Sequence, residues 1–373
     1  MPSRSVAQHM SVMHDFVVVG AGPPGSRFAR KASEAGADVA VVERGEPGPP
    51  LACSGHVSTD IWSFTPDGAR DRLLQNEIYG ARFHLGGPGS KAYKFYKREP
   101  ISNVIDRVEL DRMLAEAAVD AGAELHTQTP MTNLEVNEAH VDVHLGGDAT
   151  PEPLSARMVV GCDGPASRVR RTVGLSEPRE TLHGVLGFSD EVDFDDFVDV
   201  HLTVDRFFAW RIPRGEAGVE YGLAVPPDST DAAELLDSFV DGYDVELVTR
   251  CSGLIPIGPP ARVTDGRVFL IGDAAAQTKP FTGGGILYGM RSADNAVSTV
   301  DPADPSTLAA YEQAWRADIS REIRLGALIR RCYSLPTPIQ RIGLWLMSGE
   351  IGVHMDEPTS FFSRRHLTKL FSR

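Results

Sequence analysis

The chain has 373 residues, 42% apolar and 24% charged, which suits a soluble globular protein long enough for two domains and a well-buried core. A formal net charge of −14 argues against a general nucleic-acid binder. Cys53, Cys162, Cys251 and Cys332 are too scattered for a disulfide framework or a zinc site, so no metal is expected, and with no leader core in residues 1–14 and no spanning apolar run the expected location is a reducing cytoplasm.

Phe16–Val19 is a short β-branched run that reads as a buried parallel strand. Gly20-Ala21-Gly22-Pro23-Pro24-Gly25 follows, a G-x-G-x-x-G. Gly20 permits a tight turn, Gly22 lets backbone approach a pyrophosphate, and Gly25 allows close helix–strand contact. Ala29, Ala32 and Ala35 then predict a helix closed by Gly36. A second strand over 39–42 delivers Glu43, 18 residues after Gly25, with Arg44 beside it. A carboxylate there accepts a ribose 2′-OH. Glycines alone mark ordinary turns, but strand, turn, helix, strand and acid in this order predict a dinucleotide site. The acid favours FAD or NAD over NADP and leaves flavin and nicotinamide open.

After a Pro/Gly loop at 45–50 comes the island Cys53-Ser54-Gly55-His56-Val57-Ser58. Residues 79–85 and 92–96 alternate as strands of a hairpin. Asp106 reads as the N-cap of a helix carrying Arg107 at its head and ending at Gly122. Strands are expected near 124–126, 131–136, 140–145 and 158–160, the last running into Asp163-Gly164. Residues 182–225 read as an antiparallel run, and 254–257 and 268–271 as returning apolar strands. A helix is expected from Gly285 to about Val300 and another over about 305–335. The basic, aromatic segment 361–373 reads as an interfacial helix on anionic lipid or as a solvated terminus.

The segment from Gly272-Asp273 to Pro280, Gly283, Gly284, Gly285 and Ile286 is the second informative island. A strand end, an Asp and a glycine run opening a helix bring a carboxylate and bare N–H groups to one ligand. The Asp can accept from a ribityl hydroxyl, and the helix start can stabilise charge on a reduced isoalloxazine. A nicotinamide enzyme needs neither feature, so the two islands together select FAD.

With Asp163-Gly164 and Arg107 in place, the chain resembles the flavoprotein group that includes p-hydroxybenzoate hydroxylase. There the arginine contacts the cofactor and the Asp-Gly segment shapes its site. The Cys53–Ser58 island and Phe208-Ala209-Trp210-Arg211-Ile212-Pro213-Arg214-Gly215, followed by Tyr221-Gly222, resemble the geranylgeranyl reductases, particularly the archaeal lipid-maturing branch. Their motif reads roughly Y-x-W-x-F-P-x-G. Trp210, Pro213 and Gly215 match it, while Phe208 and Ile212 replace its tyrosine and phenylalanine. The resemblance covers about 15–296.

The order of elements predicts an α/β protein: a Rossmann-like FAD-binding domain (15–78, 101–175, 255–300) interleaved with a mostly antiparallel β-sheet substrate domain (79–100, 176–254), plus a C-terminal helical segment (304–373), an architecture in keeping with that resemblance. The resemblance implies an FAD-dependent reductase of geranylgeranyl-type chains, with Cys53 and His56 as catalytic candidates and Phe208, Trp210, Pro213 and Tyr221 against the substrate. The expected partners are a prenyl lipid, an electron donor (NADPH or ferredoxin) and a peripheral membrane contact on the inner face. An aromatic monooxygenase or halogenase on the same scaffold is the alternative, and a non-catalytic prenyl carrier the second. The W-x-W-x-I-P of flavin halogenases is only partly met, since Phe208 stands at its first tryptophan.

Overall fold

A computed structural model describes residues 13–49, 52–147, 152–228, 231–350 and 356–357. The expected interfacial helix at 361–373 lies outside them. The strand Met13–Val19 is buried from Phe16 onward and lies between Val39–Val42 and Leu154–Gly161, parallel to both. The sheet continues through Val268–Leu270 and Thr264–Asp265 on one side and Glu124–His126 on the other. A hairpin, Met131–Val136 and Val141–Leu145, joins it antiparallel along Leu154–Gly161.

Helix Pro23–Glu34 covers this sheet with Phe28, Ala29 and Ala32, and contacts helices Arg107–Asp120 and Ile286–Thr299. Phe28 meets Phe16 and Phe269 edge-on, with centroids 5.1 and 5.8 Å away. Each such side chain, fully buried, contributes about 1.5–3 kcal/mol. The helix can come this close because a Cβ on Gly25 would collide with the Gly20 carbonyl. Asp106 caps its helix as the sequence predicts, accepting from the Glu109 N–H at 3.0 Å.

A second eight-stranded sheet runs Thr249–Ile257, Glu180–Ser189, Val219–Val225, Ala209–Pro213, Phe197–His201, Gly80–His84, Ala92–Tyr96, Gly349–Glu350. It is antiparallel except where Phe197–His201 meets Gly80–His84 and Gly349–Glu350 meets Ala92–Tyr96. The expected boundary at 255 falls inside the strand Thr249–Ile257. Helix Ala232–Asp241 packs Leu236, Phe239 and Val240 on one face. The other face looks toward the first sheet. A small sheet of His56–Ser58, Ser102–Ile105 and Leu74–Ile78 packs Ile78 and Val104 against Val198 and Ile212 of the second sheet, and Val57 and Ile105 in a cluster with Leu110 and Leu287 of the helices on the first.

The expected helix at 305–335 is Leu308–Arg331, flanked by short 3-10 turns. Tyr311, Trp315, Ile319 and Ile323 seat it on the cofactor-side core. A further helix, Thr337–Met347, has no fully buried residue. Among the described residues no helix is long and apolar enough to cross a membrane.

Candidate functional site

One cavity of about 1000 Å³ runs between the two large sheets. At one end it is lined by Gly22, Pro24, Arg44, Gly164, Asp273 and the glycine run 283–285; at the other by apolar side chains reaching Met347.

At the polar end, two helices begin without side-chain caps, at Gly22 and at Gly285. Both residues line the cavity, so their unsatisfied N–H groups are available to an anion. Pro23 and Pro24 bring no N–H to the first turn, which leaves Gly22 and Gly25 as its donors. Pro24 has a packing reason to be there: a Cβ on Gly272 or Gly289 would come within 2.7 or 2.6 Å of its ring. The half-buried Asp273 makes no side-chain hydrogen bond among the described residues, and burial pushes its carboxyl up to about 6 against the pull of Arg107. Two open helix starts and a carboxyl lacking a donor on one cavity fit a dinucleotide with a polyhydroxyl linker.

Other predicted cofactor residues stand back from the cavity. Gly20 and Gly25 shape the turn. Glu43 accepts from the Ala21 N–H at 2.8 Å and the Gly45 N–H at 3.1 Å, tying the turn to the strand end. The Asp163 carboxylate caps the helix Arg168–Thr172, accepting from Ser167 Oγ, the Arg168 N–H and the Val169 N–H. Its oxygens are therefore committed within the chain, while Gly164 faces the cavity. Pro280 is buried beside Gly326 rather than on the cavity. Ile286 lines it, as does Arg107, which pairs with Asp111 at 2.6 Å.

Cys53 and His56 both line the middle of the cavity. Arg107 Nε donates to Cys53 Sγ at 3.4 Å. His56 Nε2 lies 2.7 Å from Ser102 Oγ. Burial, with Lys279 and Arg214 nearby, lowers the His56 pKa to about 4, so the ring is neutral near pH 7.

The two-residue period of the strands sorts the aromatic motif. Trp210 and Ile212 point into the cavity from Ala209–Pro213, with Phe208 just before the strand. Trp210 lies over Gly222, where a Cβ would collide with the indole, and donates from Nε1 to Glu220 Oε1 at 2.8 Å. Tyr221 points the other way, into the cluster under helix Ala232–Asp241, so the expectation that it touches substrate is corrected. Pro213 also stands off the cavity; its carbonyl accepts from Asn76 Nδ2 at 3.1 Å.

Three features were not read from the sequence. Arg214 pairs with the wholly buried Glu220 at 3.1 Å and also donates to the Ser54 carbonyl, so it joins the cysteine loop to the tryptophan wall. Burial raises the Glu220 carboxyl while Arg214 pulls it down. Lys279 Nζ reaches Asp356 at 2.5 Å from inside the glycine-rich island. Leu325, Leu328, Ile329, Leu335, Ile339 and Leu344 form the far wall. Arg214 and Lys279 sit within motifs already singled out; only burial distinguishes them from solvated charges.

Known proteins resemble this chain in sequence and in fold. The FAD binding domain family matches residues 13–225. A digeranylgeranylglycerophospholipid reductase 1 of Methanopyrus kandleri is 31% identical over 331 residues, covering 82% of this chain and 86% of the relative. A digeranylgeranylglycerophospholipid reductase of Methanothrix thermoacetophila is 30% identical, covering 83% and 84%. The solved structure of a geranylgeranyl bacteriochlorophyll reductase-like protein from Thermoplasma acidophilum superposes with a TM-score of 0.80 at 22% identity, covering 97% of this chain and 96% of that one, and shows the shared fold. The chain belongs to the digeranylgeranylglycerophospholipid reductase family of FAD-binding flavoproteins.

Proposed function

We propose that this flavin-dependent oxidoreductase saturates C=C bonds in geranylgeranyl-type chains of a membrane lipid or its precursor. The observation that carries the reading is one continuous cavity, polar where two helix starts and Asp273 meet and apolar from Phe208 and Trp210 to Met347. Gly22, Arg44, Gly164, Asp273, Gly283–Gly285 and Ile286 would contact FAD directly. Arg107 would lie near it, while Gly20, Gly25, Glu43 and Asp163 would shape the loops around it. When bound and reduced, FAD supplies hydride to one alkene carbon.

The chain's part is alignment, dryness and the proton. An isolated alkene offers no carbonyl to polarise, so catalysis rests on holding the chain in register against Phe208 and Trp210. Cys53 is assigned the proton for the second carbon. The Arg107 guanidinium, already donating to Sγ, would stabilise the charge left on sulfur. His56, neutral near pH 7, would serve as an acceptor next to Ser102 rather than as the acid. The segments 15–78, 101–175 and 255–300 would form the cofactor domain, 79–100 and 176–254 the substrate domain, and 304–373 the closing helical segment, in a cytoplasmic protein. NADPH or ferredoxin would deliver the electrons.

Mass spectrometry of a digeranylgeranyl lipid after anaerobic incubation with dithionite-reduced protein tests this. The expected product gains two hydrogens per saturated bond. An unchanged lipid, with oxygen inserted into an aromatic compound under air, would move the chain to the monooxygenases. A preparation that binds prenyl lipid but no flavin would make it a carrier.

A further inference from the structure

Helix Thr337–Met347 is exposed in the wrong places for a soluble surface. Ile342 and Trp345 are 59% and 63% exposed, and Leu346 beside them is exposed as well. Leu335, just after the 3-10 turn Cys332–Ser334, and Ile339, within the helix, are exposed yet also line the cavity. The apolar bore therefore reaches the apolar patch at Leu335 and Ile339. A helix that is apolar on more than one face and unburied needs an apolar neighbour.

Charge selects the neighbour. The chain as a whole is strongly acidic, yet from Ile323 to Gly349 it contains no Asp or Glu. Arg324, Arg331 and Arg341 are exposed along this acid-free stretch. Eleven residues make a helix of about 16 Å, too short to cross a bilayer and suited to lying in its interface. Exposed tryptophan with flanking arginine is the side-chain pairing that an interface of headgroups and acyl chains accommodates.

We propose that Thr337–Met347 docks the protein on the surface of an anionic bilayer, with Ile342 and Trp345 immersed, so that a lipid tail enters the cavity directly between Leu335 and Ile339. The entry route rests on the prenyl-lipid reading of the cavity; the docking does not.

The test is cosedimentation of the FAD-loaded, full-length protein with vesicles of phosphatidylcholine and phosphatidylglycerol that contain no prenyl lipid. Wild type should sediment with them. Ile342→Glu/Trp345→Glu should retain its flavin spectrum, which reports folding, and lose roughly tenfold or more of the bound fraction. Val192→Glu, at an equally exposed valine far along the chain, should bind like wild type. Equal sedimentation of the double variant and wild type overturns the proposal. So does a wild type that ignores vesicles but forms a dimer that the double variant splits, which would make the patch a subunit interface. Turnover separates the two readings: docking without reduction of added prenyl lipid would fault the function and leave the surface standing.

Discussion

At Asp273 the sequence and the site meet in one titratable group. Burial holds its carboxyl up to about 6, so the unliganded protein carries it partly protonated in mild acid. A cofactor hydroxyl donating to the ionised form would lower that value, and binding would release a proton. FAD affinity should therefore rise with pH through the window below about 6 and level off above it, by roughly tenfold between about pH 5 and pH 7. Titration of apoprotein with FAD, followed by flavin fluorescence, measures this, and Asp273→Asn should flatten the profile. Affinity independent of pH in the wild type would remove Asp273 from the cofactor. His56 adds a pH dependence in the same direction, on folding rather than on cofactor binding. Its pKa, lowered to about 4, contributes stability that is present above about 6.5 and lost as pH falls through about 4.

Glu43 has a role in the turn that the sequence reading did not include. Its carboxylate accepts from Ala21 and Gly45, so Glu43→Ala should loosen the first glycine turn as well as any ribose contact. The expected loss of FAD affinity is about 1.5–3 kcal/mol, the scale of a charge-assisted hydrogen bond, read as FAD occupancy after dialysis. Full occupancy would contradict both roles. Cys53→Ala should keep flavin and lipid binding but slow lipid-dependent reoxidation of reduced flavin, on the order of 10–10³-fold. An unchanged rate would place the proton elsewhere.

Among the elements, the strand Ala209–Pro213 is held by what lies beneath its tryptophan. Arg214 and Glu220 form a buried pair that also holds Trp210 Nε1 and the Ser54 carbonyl. Arg214→Met would strand a buried carboxylate and should cost about 3–5 kcal/mol in a denaturant titration, well beyond a surface pair. A loss within experimental error would mean that Glu220 is neutral and the pair unimportant. Elements with period, caps and glycine stops were legible: the strands at 124–126 and 131–136 and the Asp106 cap fall where the pattern put them. Helix Ala232–Asp241 was missed in the stretch between 225 and 254, to which no element was assigned, although Asp231 caps it. Thr337–Met347 was missed because it follows Pro336, carries Pro338 and is too apolar to show a polar face. Tyr221 was misassigned for a different reason. Proximity in sequence to Trp210's motif does not say which face of a strand a residue takes, and alternation turned it away.

Over the whole molecule, the division of labour follows from the interleaved topology. The first sheet brings Gly22 and Asp273 to one end of the cavity from segments about 250 residues apart, a juxtaposition the two glycine islands already implied. The far wall could not be read that way. Leu325 to Met347 look like ordinary helix residues until the fold sets them opposite Trp210. Trp210→Ala should therefore open a cavity and misplace the substrate, lowering turnover while FAD stays bound. The central claim is that reduced flavin in this cavity is oxidised by a prenyl chain. The most direct measurement is anaerobic: photoreduce the bound flavin, add a geranylgeranyl lipid, and follow the return of oxidised flavin absorbance. Absorbance should recover with lipid alone; recovery only when O2 is admitted would contradict the account.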